Sequence, residues 1–166
     1  MTLTSEEIDA IIFYRRQKSY ATLQEANDAM KDAHWNLTIQ RLYYAVYYMA
    51  SALLLKNKIP AQSHNGVVGQ IGLHFVTTGR LSKEYGRLYS RLLQSRISGD
   101  YNDFFDFTEE DVNSFMQPTR ELIKRLEVKN RQLEAISKQV VSVETKFEAP
   151  VKDTVIVRDS IPVMAQ

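Results

Sequence analysis

Cysteine is absent from the 166-residue chain. Disulfides, thiolate metal ligands and cysteine nucleophiles are thereby excluded, and the composition fits a reducing compartment. Neither glycine nor proline occurs before Pro60, and all six glycines fall between Gly66 and Gly99. The first third of the chain therefore lacks the residues that punctuate turns and reads as long helix. Charge of one sign is also missing, with a formal net charge of +1, so total charge points to no class of partner. No stretch holds 18 consecutive apolar residues, which argues against a membrane span. The segment MTLTSEEIDAIIFYRR places acidic residues ahead of a short apolar run, the reverse of a secretory leader, and a cytoplasmic protein is expected. Glycine-rich dinucleotide and phosphate loops, His-Glu-x-x-His and Gly-x-Ser-x-Gly are absent as well. His34, His64 and His74 have no metal-ligand spacing, because the ten helical residues from His64 to His74 would span about 15 Å. No metal or cofactor is expected.

What is present is organised around Asn36 to Lys56, NLTIQRLYYAVYYMASALLLK. Tyr43, Val46, Tyr47, Ala50, Leu53 and Leu54 recur at helical spacing, while Leu37, Tyr44, Tyr48 and Leu55 widen the stripe. The spacing predicts a helix buried on most sides, with Asn36 as its N-cap and Lys58-Ile59-Pro60 as its stop. Its four tyrosines bring more hydroxyls than a dry core needs. They are either bulky core residues with hydroxyls at the rim or groups that reach a polar cavity or an interface.

Before it, Thr4 with Glu6 and Glu7 opens a helix over Ser5 to Lys31. After it, Ser63 caps a helix from His64 to Thr77 that ends at Gly79, and a further helix runs from Leu81 to about Ser98 with Gly99 as its stop. Thr108-Glu109-Glu110-Asp111 begins a last long helix, in which Pro118 should make a kink or a joint. From Val140 the helical period is lost. VVSVETKF alternates like an edge strand and DTVIVRD is a short β-branched run, so residues 138–166 are expected to form an irregular or extended tail. The fold class is all-α, a bundle of four to five helices occupying residues 1–137.

One charge breaks its local pattern. Arg96 continues the face of Tyr85, Leu88, Tyr89 and Leu92, where a guanidinium must be paired or must line a polar cleft. Asp100 and Tyr101 stand nearest to meet it. The plainer reading is a last-turn cation serving the helix dipole, as His64 is most simply a helix N-terminal residue bonding near Ser63.

Four ordered motifs carry a resemblance: Arg41-Leu-Tyr-Tyr-Ala-Val-Tyr-Tyr, then Ser63-His64-Asn65-Gly66-Val67, then Phe75-Val76 with Gly79, Leu81 and Tyr85, then Arg96-Ile-Ser-Gly-Asp100-Tyr101. Over about Ser5 to Leu133 the chain resembles the small single-domain prokaryotic branch of the HEPN family. The resemblance implies an up-and-down bundle, a homodimer, and a nucleotidyltransferase partner in a toxin and antitoxin pair. Active members are metal-independent ribonucleases in which four to six residues separate an arginine from the histidine that follows it. Here Arg96 matches the arginine, but no histidine follows it in the chain. Either Arg96 acts on RNA phosphate with Asp100, Tyr101 or His64 moving the proton, or catalysis is lost and the chain is an RNA- or nucleotide-binding module. Arg41, Tyr44, Tyr48 and His64 are the expected binding residues. The resemblance also makes Tyr101 a candidate for adenylylation by the partner, against the simpler expectation that its ring packs over the end of the Arg96 helix.

Overall fold

A computed structural model describes residues 3–102 and 105–147, with side chains as far as residue 132 and at 139. Its elements are α1 (Ser5–Lys31), α2 (Trp35–Lys56), α3 (His64–Ile71) with a π turn over Gly72–Val76, α4 (Lys83–Tyr101) and α5 (Glu109–Phe147). No strand occurs among the described residues. The chain divides into a unit of residues 1–134 and a second of residues 135–166.

In the first unit α2 is the central helix and packs against α1, α3 and α4. Ile39, Leu42, Tyr43, Val46, Met49 and Leu53 are wholly removed from solvent, and from α5 Val112, Leu122 and Ile123 close the same core. Burial on nearly every side of α2 follows from its wide apolar stripe, since each buried aliphatic side chain contributes about 1.5–3 kcal/mol over exposure. Ser19 donates to the Ala45 carbonyl at 2.6 Å, a polar tie that lets α1 lie close on α2. Across the bundle Arg16 binds Glu127 of α5 through two hydrogen bonds of 2.6 and 3.0 Å.

Capping follows the sequence at three starts. Thr4 and Glu7 form a reciprocal box, Ser63 accepts from Gly66 N at 2.9 Å, and Thr108 and Asp111 cap α5 from both sides. Gly79 takes φ +73°, the left-handed value expected of it. The ends of α1 and α2 use the same geometry without glycine. Ala33 and Lys58, both at φ 57°, lie just past the helices, and His34 N to Ala29 O and Ile59 N to Leu54 O close six-to-one turns.

Four local expectations are corrected. Asn36 does not cap α2, which follows His34 without any side-chain cap. The Asn36 amide instead accepts from Phe107 N at 2.8 Å and donates to Asp106 at 2.9 Å, fastening the segment before α5 to the start of α2. Gly99 does not stop α4, which continues through Asp100 to Tyr101. Phe107 lies where a Gly99 side chain would be, at 3.3 Å from an ideal Cβ, so this glycine serves close packing. The predicted helix to Thr77 departs from α geometry at Gly72, where Thr77 N bonds Gly72 O at 2.9 Å. Finally, Val140 to Phe147 continue α5 and do not form an edge strand, and α5 remains one helix through Pro118. A short alternation discriminates poorly between strand and helix, and no glycine or proline interrupts the chain between Pro118 and Pro150. The run DTVIVRD lies outside the described residues.

Candidate functional site

Helical spacing on α2 puts Tyr43, Tyr44, Tyr47 and Tyr48 on adjoining faces, turned toward α3 and α4 on one side and α1 on the other. Tyr43 is fully buried and the other three are half-buried. Their rings touch in sequence, Tyr43 with Tyr44 at 5.3 Å between centroids, Tyr44 with Tyr48 at 6.2 Å, and Tyr47 with Tyr48 at 5.7 Å. His64, first residue of α3, enters this cluster 4.7 Å from Tyr47, 5.6 Å from Tyr43 and 5.8 Å from Tyr44.

The His64 Nδ1 lies 2.7 Å from the Tyr43 hydroxyl. Burial and the nearby Arg96 charge both lower the pKa of the imidazole, so it is neutral at pH 7. Burial in turn raises that of the Tyr43 phenol far above its ordinary value, with Arg96 opposing. Two neutral groups thus share one hydrogen bond. In the tautomer where Nδ1–H donates to the phenol oxygen, Nε2 keeps its lone pair, and it has no hydrogen-bond partner among the described residues.

Arg96 reaches the cluster from α4. Its guanidinium stands 5.5 Å from the Tyr44 ring centre and 5.8 Å from that of Tyr43, and its Nη2 donates to the Tyr44 hydroxyl at 3.1 Å. Asp100, one turn on, sits 3.0 Å from Nε as an ion pair, yet the Nε–H is not aimed at the carboxylate and stays without a hydrogen bond. The other Asp100 oxygen accepts from Gln40 of α2 at 3.2 Å. With its side chain 17% exposed, Arg96 is a partly desolvated cation anchored on aromatic faces. The two residues by which α4 runs past Gly99 are what bring Asp100 back over Arg96.

The HEPN domain family matches residues 14–130, most of the chain and all of this site. The chain belongs to the HEPN domain family. Among its relatives are a "UPF0332 protein" of Thermotoga maritima, 32% identical over 73% of this chain and 92% of the relative. A Methanocaldococcus jannaschii protein named "Putative toxin MJ0605" is 31% identical over 73% of this chain and 87% of its own length. A "UPF0332 protein PH1297" of Pyrococcus horikoshii is 30% identical over 77% and 82%. Residues 99–165 also match a family of unknown function, DUF6549.

Within this HEPN domain the expected site residues divide. Arg96, Asp100, Tyr44 and His64 meet in the cluster, and Tyr48 extends it toward α1, where Lys18 lies 5.9 Å from its ring centre. Arg41 faces α1 and pairs with Glu25 at 3.4 Å. Tyr101 is the last residue of α4 and is 77% exposed, so its ring does not pack over the helix end as expected. Sequence reasoning passed over Gln40 and Tyr43. Gln40 carried no signal of its own, whereas Tyr43 was visible as one of the four tyrosines and lacked only its pairing with His64. No group of histidine, aspartate and glutamate able to hold a metal occurs among the described residues, and no helix there is long and apolar enough to cross a membrane.

Proposed function

We propose that this HEPN domain protein is toxin-like and binds RNA or a nucleotide phosphate at the Arg96 cluster, as one member of a pair with a nucleotidyltransferase. The observation that carries the reading is the Arg96 guanidinium, held over the Tyr43 and Tyr44 rings with its side chain still 17% exposed. A phosphate oxygen is the natural acceptor for the terminal guanidinium donors, and charge-assisted bonds of this kind are about twice as strong as neutral ones. The half-buried rings beside it offer faces on which unpaired bases stack. Relatives bearing toxin names support the biological class. A second copy of the chain completes the site in this proposal, and the exposed Tyr101 hydroxyl is accessible to adenylyl transfer by the partner. The test is fluorescence anisotropy with labelled single-stranded RNA. Wild type should bind, Arg96→Ala should bind at least tenfold more weakly, and equal affinities would defeat the proposal.

The neutral His64 favours a second reading, a metal-independent endoribonuclease. Nε2 would accept the proton of an RNA 2′-hydroxyl as its oxygen attacks phosphorus, with Arg96 stabilising the phosphate; the P–O5′ bond breaks and the leaving oxygen takes a proton from water, giving a 2′,3′-cyclic phosphate and a 5′-hydroxyl. Incubation of RNA with the purified protein in EDTA decides between them. Cleavage that disappears in His64→Gln supports the nuclease, whereas binding without cleavage supports the module.

A further inference from the structure

On the other side of Tyr89 from the tyrosine cluster, a cavity of 840 Å³ opens between α3 with its π turn and α4. Val68, Ile71 and Val76 form an aliphatic wall, and Lys83 and Arg87 stand exposed at the rim. Three features mark this as a built space. Gly72 lies in the wall with right-handed backbone angles, φ −55° and ψ −52°, and a Cβ added there would meet nothing within 4 Å. The π turn begins at the same residue, and such turns are frequent at functional sites. Tyr89, 1% exposed, also lines the cavity, with its hydroxyl closed off from solvent and without a hydrogen-bond partner among the described residues.

We propose that this cavity is a ligand site distinct from the Arg96 cluster, taking a small molecule with an aliphatic body and an anionic head. Aliphatic walls suit a hydrocarbon chain better than a flat nucleobase, for which stacking faces would be needed. The volume lies within the range of sites for small organic ligands. Lys83 and Arg87 select the anion. Glu84, beside them in sequence, offsets part of their charge, and Arg91 at the far end of the cavity, stacked on Phe115 at 4.8 Å, keeps the rim net positive. The Tyr89 ring, at the edge of the cavity, lies 6.2 Å from that of Tyr43.

The test uses the full chain and decanoate as probe, below its micellar range, with decanol and decylamine at equal concentration as controls. Decanoate should raise the melting temperature saturably and bind one per chain by calorimetry, and neither control should match it. Gly72→Leu fills the cavity from a position with ordinary helical angles, so it should keep the fold and abolish the effect. Arg87→Gln should weaken binding several-fold, and Arg96→Ala should leave it unchanged, which separates this site from the RNA site. Equal stabilisation by decanol or decylamine, or a decanoate response that survives Gly72→Leu, would overturn the proposal. So would sedimentation showing that Gly72→Leu converts a dimer to a monomer, since the cavity would then belong to a second copy of the chain.

Discussion

Asp100→Asn should tighten RNA binding, although Asp100 sits in the middle of the candidate site. The carboxylate occupies the Nε edge of Arg96 at 3.0 Å and carries a negative charge beside the place where a phosphate would be bound. Two like charges roughly 6 Å apart repel by about 0.7 kcal/mol at the dielectric of water and by about 2.8 kcal/mol at the effective dielectric of about 20 typical near a protein surface. Neutralising Asp100 should therefore improve affinity by at least about threefold at low salt. The fold should hardly notice, because an i,i+4 helix pair contributes about 0.3–0.5 kcal/mol, and the substituted amide still offers an oxygen to Gln40.

The assay is anisotropy titration of a labelled single strand at two salt concentrations, with melting temperature as a control for folding. The gain should shrink toward unity at about 1 M salt, where the screening length falls to about 3 Å. If Asp100→Asn binds RNA several-fold more weakly while melting normally, the carboxylate positions Arg96 or acts in the chemistry. The electrostatic argument is then refuted, and Asp100 returns to the proton-transfer candidates.

Further expectations are smaller in scope. In Arg96→Ala the His64 pKa should rise, because the Arg96 charge is one of the two causes that lower it; nitrogen shifts of the imidazole against pH measure this, and an unchanged pKa would contradict the site geometry. Glu127→Ala should cost about 1.5–3 kcal/mol through loss of its charge-assisted hydrogen bonds with Arg16, read as a fall in melting temperature of roughly 5–10 °C. Burial raises the Glu127 pKa, but hydrogen bonds from Arg16 and Arg131 outweigh it and hold the group below its ordinary value. Its contribution is thus present above the unfolded carboxyl pKa of about 4.3 and lost as pH falls through the lower folded value, so the stability gap between wild type and Glu127→Gln should narrow between about pH 5 and pH 3. Lys58→Gly should stabilise the chain by about 0.5–1 kcal/mol in chemical denaturation, since the left-handed φ of 57° at that helix end costs a side chain more than it costs glycine.

The bundle was legible because its helices are written in local terms. Capping residues Thr4, Ser63 and Thr108, the left-handed Gly79 and the apolar period of α2 each act within a turn or two of chain, and each does in the fold what its type predicts. Two of the errors fall where a distant residue wins. Asn36 is a sound local cap, but Phe107 N competes for its side chain from across the bundle. Gly99 is a sound local stop, but the Phe107 ring needs the space that only glycine leaves. The ends of α1 and α2 fall where the sequence placed them, at Lys31 and before Lys58-Ile59-Pro60, but the left-handed residues that close them, Ala33 and Lys58, carried no glycine signal.

The site divides along the same line. Arg96 was visible because a guanidinium on an apolar stripe conflicts with its own helix, and that conflict can be read without knowing the partner. His64 was harder to place, since its meaning depends on α3 folding back so that the imidazole meets Tyr43, a residue from another helix. In sequence the base-like group precedes the arginine, and the order of a linear arginine-to-histidine motif is not kept. In space, both groups contact the Tyr43 and Tyr44 rings. Loss of the downstream histidine therefore does not empty the site of an imidazole. It leaves one whose pKa is lowered by burial and by Arg96, and whether that imidazole moves a proton or only frames a phosphate is what the cleavage assay with His64→Gln distinguishes.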